Sequence, residues 1–276
     1  MKISTRKIVD FTLKGLTWLF AAIAFSVLVF IIVHVLIKGI PFLKPSLFEF
    51  NYTPDNVSLF PALVTTVLVV ALSLLIAVPL GVFAAIYLVE YARRGNKFVK
   101  VVRAMAETLS GIPSIIYGLF GSLFFVTWLG WGYSLLAGSC TLSIMVLPLI
   151  MRTTEESLKS VPDTYREGSY GLGAGRLRTT FRIVLPAAAP GILAGVILSI
   201  GRIVGETAAL IYTLGSASKM TTGLFSSGRT LSLHMYVLTG NALYEGQAYA
   251  TAVVLLVLVI GINALSAFLA KKMSRA

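Results

Sequence analysis

The chain has 276 residues, of which 57% are hydrophobic and only 12% charged, with a formal net charge of +12. Soluble domains carry roughly 25% charged residues, so this composition belongs in a bilayer. The basic residues sit in short clusters without aromatic-basic interleaving, which excludes a nucleic-acid partner, and the single Cys140 excludes an intrachain disulfide and a thiolate metal site.

Lys2, Arg6, Lys7 and Lys14 precede an apolar run over 16–37, long enough to cross a core of roughly 30 Å, which reads as an uncleaved signal anchor. The interval 38–58, with Pro41, Pro45 and Pro54, reads as an external loop. A second span is predicted over 63–89, kinked at Pro79 and Gly81. The basic loop Arg93, Arg94, Lys97, Lys100 and Arg103 leads to a third span over 106–129, which opens with Glu107 and the run Ser110-Gly-Ile-Pro-Ser114. A short fourth span, 133–151, ends near Pro148 and Arg152. A polar loop over 154–186, a fifth span over 190–214, a polar external stretch over 215–247 and a sixth span over 248–269 complete the chain. The expectation is an all-α membrane protein of six transmembrane helices in one domain, 1–276.

Lysine and arginine counts set the orientation. The N-terminus, the loop after span two, the 154–186 loop together with Arg152 just before it, and the C-terminal tail hold 4, 5, 6 and 3 of them, while the opposite side holds Lys38, Lys44, Lys219 and Arg229. That bias predicts cytoplasmic termini and a cytoplasmic 154–186 loop. Arg202 is the one cation left inside a predicted span.

Within the loop, Ser160-Val-Pro-Asp163 reads as a helix start, with a capping hydroxyl, Pro in the first turn and a carboxylate at the positive end. Val161, Tyr165 and Leu172 form a narrow apolar stripe opposite Asp163, Arg166 and Glu167, and Gly171 with Gly173 stops the helix. So short a helix is marginal alone in water, and on composition it reads equally as a knob held in a partner's cleft or as a solvated connector between two spans.

No Gly-x-x-x-x-Gly-Lys-[Ser/Thr] occurs, so ATP phosphates are not bound by a P-loop in this chain. The two histidines, His34 and His234, read as surface or interface residues. Arg202 and Glu206 lie one helical turn apart, and a charge this deep in lipid calls for a polar interior. Arg202 then offers charge-assisted donors to an anion while Glu206 steadies its guanidinium, unless the two merely neutralise each other. Ser110 and Ser114 flank a Gly-Pro interruption that can break the helix and present N–H groups and hydroxyls to an anion, unless it is a simple kink.

The spacing Glu167, Gly173, Ile183, Leu185-Pro186 resembles the coupling loop of bacterial ABC importer permeases, Glu-Ala-Ala, three residues, Gly, nine residues, Ile, one residue, Leu-Pro. Gly168 and Ser169 replace the two alanines and keep them small. With Gly111-Ile-Pro-Ser-Ile-Ile-Tyr-Gly-Leu119 and Gly201-Arg-Ile-Val-Gly-Glu-Thr-Ala-Ala209, the whole chain resembles permease subunits of phosphate-specific ABC importers, most nearly the A type, PstA. The resemblance implies a type I importer permease fold in the bacterial inner membrane, paired with a second related permease. It implies two copies of a cytoplasmic ATPase, which carry ATP and Mg, and a periplasmic phosphate-binding protein, with no cofactor on this chain. Val161, Tyr165, Glu167, Leu172 and Gly173 become the ATPase-coupling residues, and Arg202, Glu206, Ser110 and Ser114 the substrate pathway. A permease for another oxyanion such as sulfate remains the alternative; a channel or intramembrane enzyme would need no coupling loop.

Overall fold

The computed structural model describes residues 2–93 and 95–273; Arg94 and Arg275, two of the cations counted above, lie outside the described residues. Among the described residues the chain is helical, without strands. Helix α1 (Lys2–Gly39) packs along the last helix, and Phe20, Ile23 and Phe30 on its flanks are exposed, as suits a helix solvated by lipid on most sides.

The centre of the molecule is α2 (Phe60–Ile86, extended by a π-helical turn Tyr87–Tyr91) against α5 (Leu135–Ser160). Lipid supplies no hydrophobic drive between helices, so close approach and hydrogen bonds hold this pair. Gly81 allows the approach: a Cβ there would stand 2.8 Å from Ile150 Cγ2. Ser73 Oγ donates to the Ser139 carbonyl at 3.1 Å and Ser143 Oγ to the Ser73 carbonyl at 3.0 Å. Val69, Ala77, Leu142, Val146 and Ile150 fill the seam.

Three predicted spans take other forms. The 106–129 segment is two helices, α3 (Lys97–Ser110) and α4 (Ser114–Gly121, continued by a π-helical stretch Ser122–Trp128), bent by 102° at the intervening break. Helix α5 runs nine residues beyond 151, because Arg152 with Glu156 and Glu155 with Lys159 form pairs at i, i+4 that carry the helix into water. The loop therefore starts at Val161, with α6 (Asp163–Gly171). After it, α7 (Arg176–Thr179), a π-helical stretch Thr180–Val184 and α8 (Leu185–Val204) form one rod, in which Pro190 is internal rather than initiating. Gly205 ends that rod, and the short α9 (Ala208–Thr213) follows.

The stretch 215–247 is packed rather than loose. Leu135 and Leu136 N–H donate to Ser226 and Leu224 carbonyls at 3.0 and 2.8 Å, and Thr65 and Thr221 hydroxyls meet at 2.9 Å. It includes α10 (Leu231–Thr239), which buries Leu231, Leu233 and His234. Helix α11 (Glu245–Met273) closes the chain. Among the described residues, five helices are long and apolar enough to cross a membrane, and the bent pair makes a sixth if counted as one span.

Candidate functional site

Two interrupted spans cross near the middle of the molecule. Helix α4 meets α9 at Gly118, where a Cβ would stand 2.7 Å from the Ala209 Cα. Discontinuous membrane helices of this kind expose backbone ends that a continuous helix conceals. At the α3–α4 break, however, the Gly111 and Ile112 N–H groups donate to Thr108 and Leu109 carbonyls, both at 3.1 Å. Ser110 Oγ donates to the Glu107 carbonyl at 2.7 Å, and Tyr117 Oη to the Leu109 carbonyl at 2.6 Å, so the bend is tied off locally.

The expected Arg202–Glu206 contact does not form: no ion pair among the described residues joins them. One helical turn of separation requires a continuous helix, and Gly205 ends it. Glu206 instead accepts from the Ala209 N–H at 3.0 Å, placing its carboxylate at the positive end of α9, while its carbonyl accepts from Ser232 Oγ at 2.8 Å. Arg202, in the last turn of α8, is exposed on the wall of a cavity of about 340 Å³ that it shares with Ser110, Glu107, Arg103, Arg152 and Glu156. The structure thus brings Arg202 and Ser110 together and leaves Ser114 and Glu206 out of that lining.

The coupling segment departs from expectation in its attachment. Ser160 is the last residue of α5 and donates to the Ser157 carbonyl at 2.8 Å, so the N-cap of α6 is Pro162, without a side-chain cap. Val161 leaves the predicted stripe: it is buried against Leu158, Val184 and Ile192. Tyr165, Glu167, Leu172 and Gly173 are exposed, Leu172 at 91%, and Tyr170 and Leu177 extend the apolar face. Gly173 has φ +80, the left-handed conformation that ends α6. Of the two small residues, Ser169 is buried with its hydroxyl 2.8 Å from Thr179 Oγ1, whereas Gly168 faces open space.

Arg166, read from sequence as a residue of the polar side, is the anchor of α6. Its Nη2 meets Glu90 Oε1 at 2.7 Å and the Leu158 carbonyl at 2.9 Å; its Nη1 meets the Val161 carbonyl at 2.9 Å and Asp163 Oδ1 at 3.1 Å; its Nε meets Glu90 Oε1 at 3.2 Å. The side chains are 14% and 5% exposed, and the hydrogen bond to Glu90 pushes the Arg166 pKa up. One guanidinium thus joins α6 to the ends of α2 and α5. Glu90 is 76 residues away in sequence and was missed; a lone carboxylate closing an apolar span was the one available signal. Beside it, Glu155 accepts from Arg103 at 2.6 Å and Lys159 at 2.5 Å, tying α3 to α5.

The family described as binding-protein-dependent transport system inner membrane component matches residues 77–275. The chain belongs to this family. A permease of the family described as the probable ABC transporter permease protein YqgI of Bacillus subtilis is 36% identical over 215 residues, covering 76% of this chain and 72% of that one. The phosphate transport system permease protein PstA of Mycobacterium leprae is 40% identical over 192 residues, covering 68% of this chain and 62% of its own length. A solved bacterial alginate ABC transporter, in complex with an alginate pentasaccharide-bound periplasmic protein, superimposes with a TM-score of 0.65 at 16% identity, over 94% of this chain and 96% of that one. The fold is that of type I ABC importer permeases, and the chain is a multi-pass permease of an ABC importer.

Proposed function

We propose that this permease carries inorganic phosphate across the bacterial inner membrane, as one of two related permease subunits driven by a separate ATPase. Arg202 carries the reading. It is a cation in an apolar segment, exposed to a cavity and without a carboxylate among the described ion pairs, so its donors are free for an oxyanion. The relative named for phosphate transport supports phosphate over sulfate as that oxyanion. Ser110 adds a hydroxyl to the same cavity, and Glu206 acts indirectly, by capping the start of α9, whose Ala209 packs on Gly118 of α4. Tyr165, Glu167, Leu172 and Gly173 form the face that a cytoplasmic ATPase dimer, with its ATP and Mg, engages; a periplasmic binding protein delivers the ion on the other side.

The test is uptake of labelled phosphate by the assembled transporter in proteoliposomes, challenged with excess sulfate. Phosphate should accumulate without competition from sulfate, and Arg202→Gln should lower uptake by about tenfold to a hundredfold, the worth of a hydrogen bond to a charged group. Equal competition by sulfate, or normal uptake by an assembled Arg202→Gln transporter, would overturn the reading.

A further inference from the structure

The cytoplasmic end of α2, the link to α3 and the coupling helix enclose a cleft of about 540 Å³. Its wall carries Arg93, Lys100, Arg103, Lys159, Arg166 and Arg176 against two carboxylates, Glu90 and Asp163, both engaged by Arg166. Arg103 and Lys159 share the carboxylate of Glu155. The Arg176 guanidinium stands 5.8 Å from the centroid of the Tyr91 ring, and no described ion pair involves Arg93, Lys100 or Arg176. The cleft therefore holds more positive charge than its acids balance, in a volume that suits a compact anion.

Helix α3 tells where that anion comes from. It lies at 102° to the membrane-crossing α4 and is capped by Asn96, whose Oδ1 accepts from the Phe98 N–H at 3.0 Å. Phe98, Val101 and Met105 are exposed at spacings of three and four, so they share one face; Lys97 borders it, and Lys100 and Arg103 lie on the opposite face, Arg103 turned to Glu155. An exposed apolar face with cations on the other side is the pattern of a helix lying in the plane of a membrane interface. A basic pocket among membrane helices on that side is suited to an anionic headgroup.

We propose that this cleft binds a phosphate group at the cytoplasmic membrane surface, supplied by the phosphodiester of an anionic phospholipid or by the free ion. The bound group sits beside Arg166 and Glu90, so its occupancy stiffens the joint between α6 and the ends of α2 and α5. The cleft shares Arg103 and Lys159 with the wall of the Arg202 cavity, but Arg202 and Ser110 do not line it, and the binding proposed here does not depend on which ion is transported.

The full-length chain is reconstituted in nanodiscs of phosphatidylcholine, or of phosphatidylcholine with about one-third phosphatidylglycerol, and its thermal midpoint measured. Inorganic phosphate is titrated separately into the phosphatidylcholine discs. The wild type and the charge-keeping pair Lys100→Arg with Arg176→Lys should be stabilised by the anion, while Lys100→Gln with Arg176→Gln should need about thirtyfold more of it, at roughly one kcal/mol per charge. If that double variant does not fold, Lys100→Gln alone, at an exposed position, should need about fivefold more. A response to phosphatidylglycerol alone assigns the lipid, and one to inorganic phosphate assigns the free ion. Equal responses from wild type and Gln variants to both probes would overturn the proposal. So would a response abolished by bound ATPase, which would assign the cleft to that interface.

Discussion

Gly168 and Ser169 occupy neighbouring positions in α6, and packing separates them. Gly168 has open space around it, so Gly168→Ala should leave transport unchanged and favour the helix by about 1 kcal/mol. Ser169 is buried against Thr179, so Ser169→Leu should force α6 off α7 at a cost of about 1–3 kcal/mol. Limited trypsin cleavage at Arg176 and Arg178 measures the difference: faster in Ser169→Leu, unchanged in Gly168→Ala. His234 gives a second prediction at this scale. Fully buried, with both ring nitrogens lacking partners among the described residues, it sits by Tyr52 and Arg229; burial first, and the Arg229 charge second, push its pKa down to about 3. A histidine with a lowered native pKa favours the fold above its unfolded value near 6.5, and that contribution is lost as pH falls from there toward 3. At pH 5 the loss is about 2 kcal/mol, so the purified protein should melt earlier between pH 6.5 and 5, and His234→Gln should flatten that dependence. An unaltered slope in the variant would remove His234 as its source.

At the scale of the element, Arg166 anchors α6, and in the proposed coupling role it is the fulcrum on which the helix bears. Nine residues of α6 would not hold together in water, and its exposed face contributes nothing until a partner arrives. What holds α6 is the guanidinium gripping Glu90 on the π-helical extension of α2 and the Leu158 and Val161 carbonyls at the end of α5, and under the proposed coupling this joint carries the force. Glu90→Gln keeps the shape and an acceptor oxygen but leaves a largely buried cation with only the exposed Asp163 carboxylate against it, a change of about 3 kcal/mol. The assembled variant should keep its basal ATP hydrolysis and spend several times more ATP per ion transported. Arg166→Lys should behave likewise, since an ammonium cannot span the carboxylate and two carbonyls at once. An unchanged ratio of hydrolysis to uptake in both variants would show the joint to be structural only. Nothing in the sequence pattern pairs these two residues: hydropathy and local spacing report what lies within a turn or two, and Arg166–Glu90 closes over 76 residues. The α6 boundaries were legible for the opposite reason, since Pro162, Asp163 and Gly173 act on their own backbone neighbours.

For the whole molecule, the apolar runs were legible because lipid rewards them residue by residue, whereas breaks inside them were less so. Gly205 interrupts a run that hydropathy reads as continuous, and Val161 falls on a helical stripe although it is buried among other helices. Orientation rests on the asymmetry of lysine and arginine, which acts during insertion and leaves no mark on the packed helices themselves. Chemical access tests it. Ser160, at the exposed end of α5 beside the coupling helix, and Thr222, exposed in the 215–230 segment, lie at opposite ends of the bundle in this reading. In a Cys140→Ser background, which removes the one native thiol, Thr222→Cys should react with a membrane-impermeant maleimide on intact spheroplasts. Ser160→Cys should react only after the membrane is opened. Both positions are exposed in the fold, so a thiol that stays unlabelled in intact spheroplasts and labels after permeabilisation is shielded by the bilayer rather than by packing. Labelling of Ser160→Cys from outside, with Thr222→Cys protected, would invert the molecule and place α6 beyond the reach of a cytoplasmic ATPase.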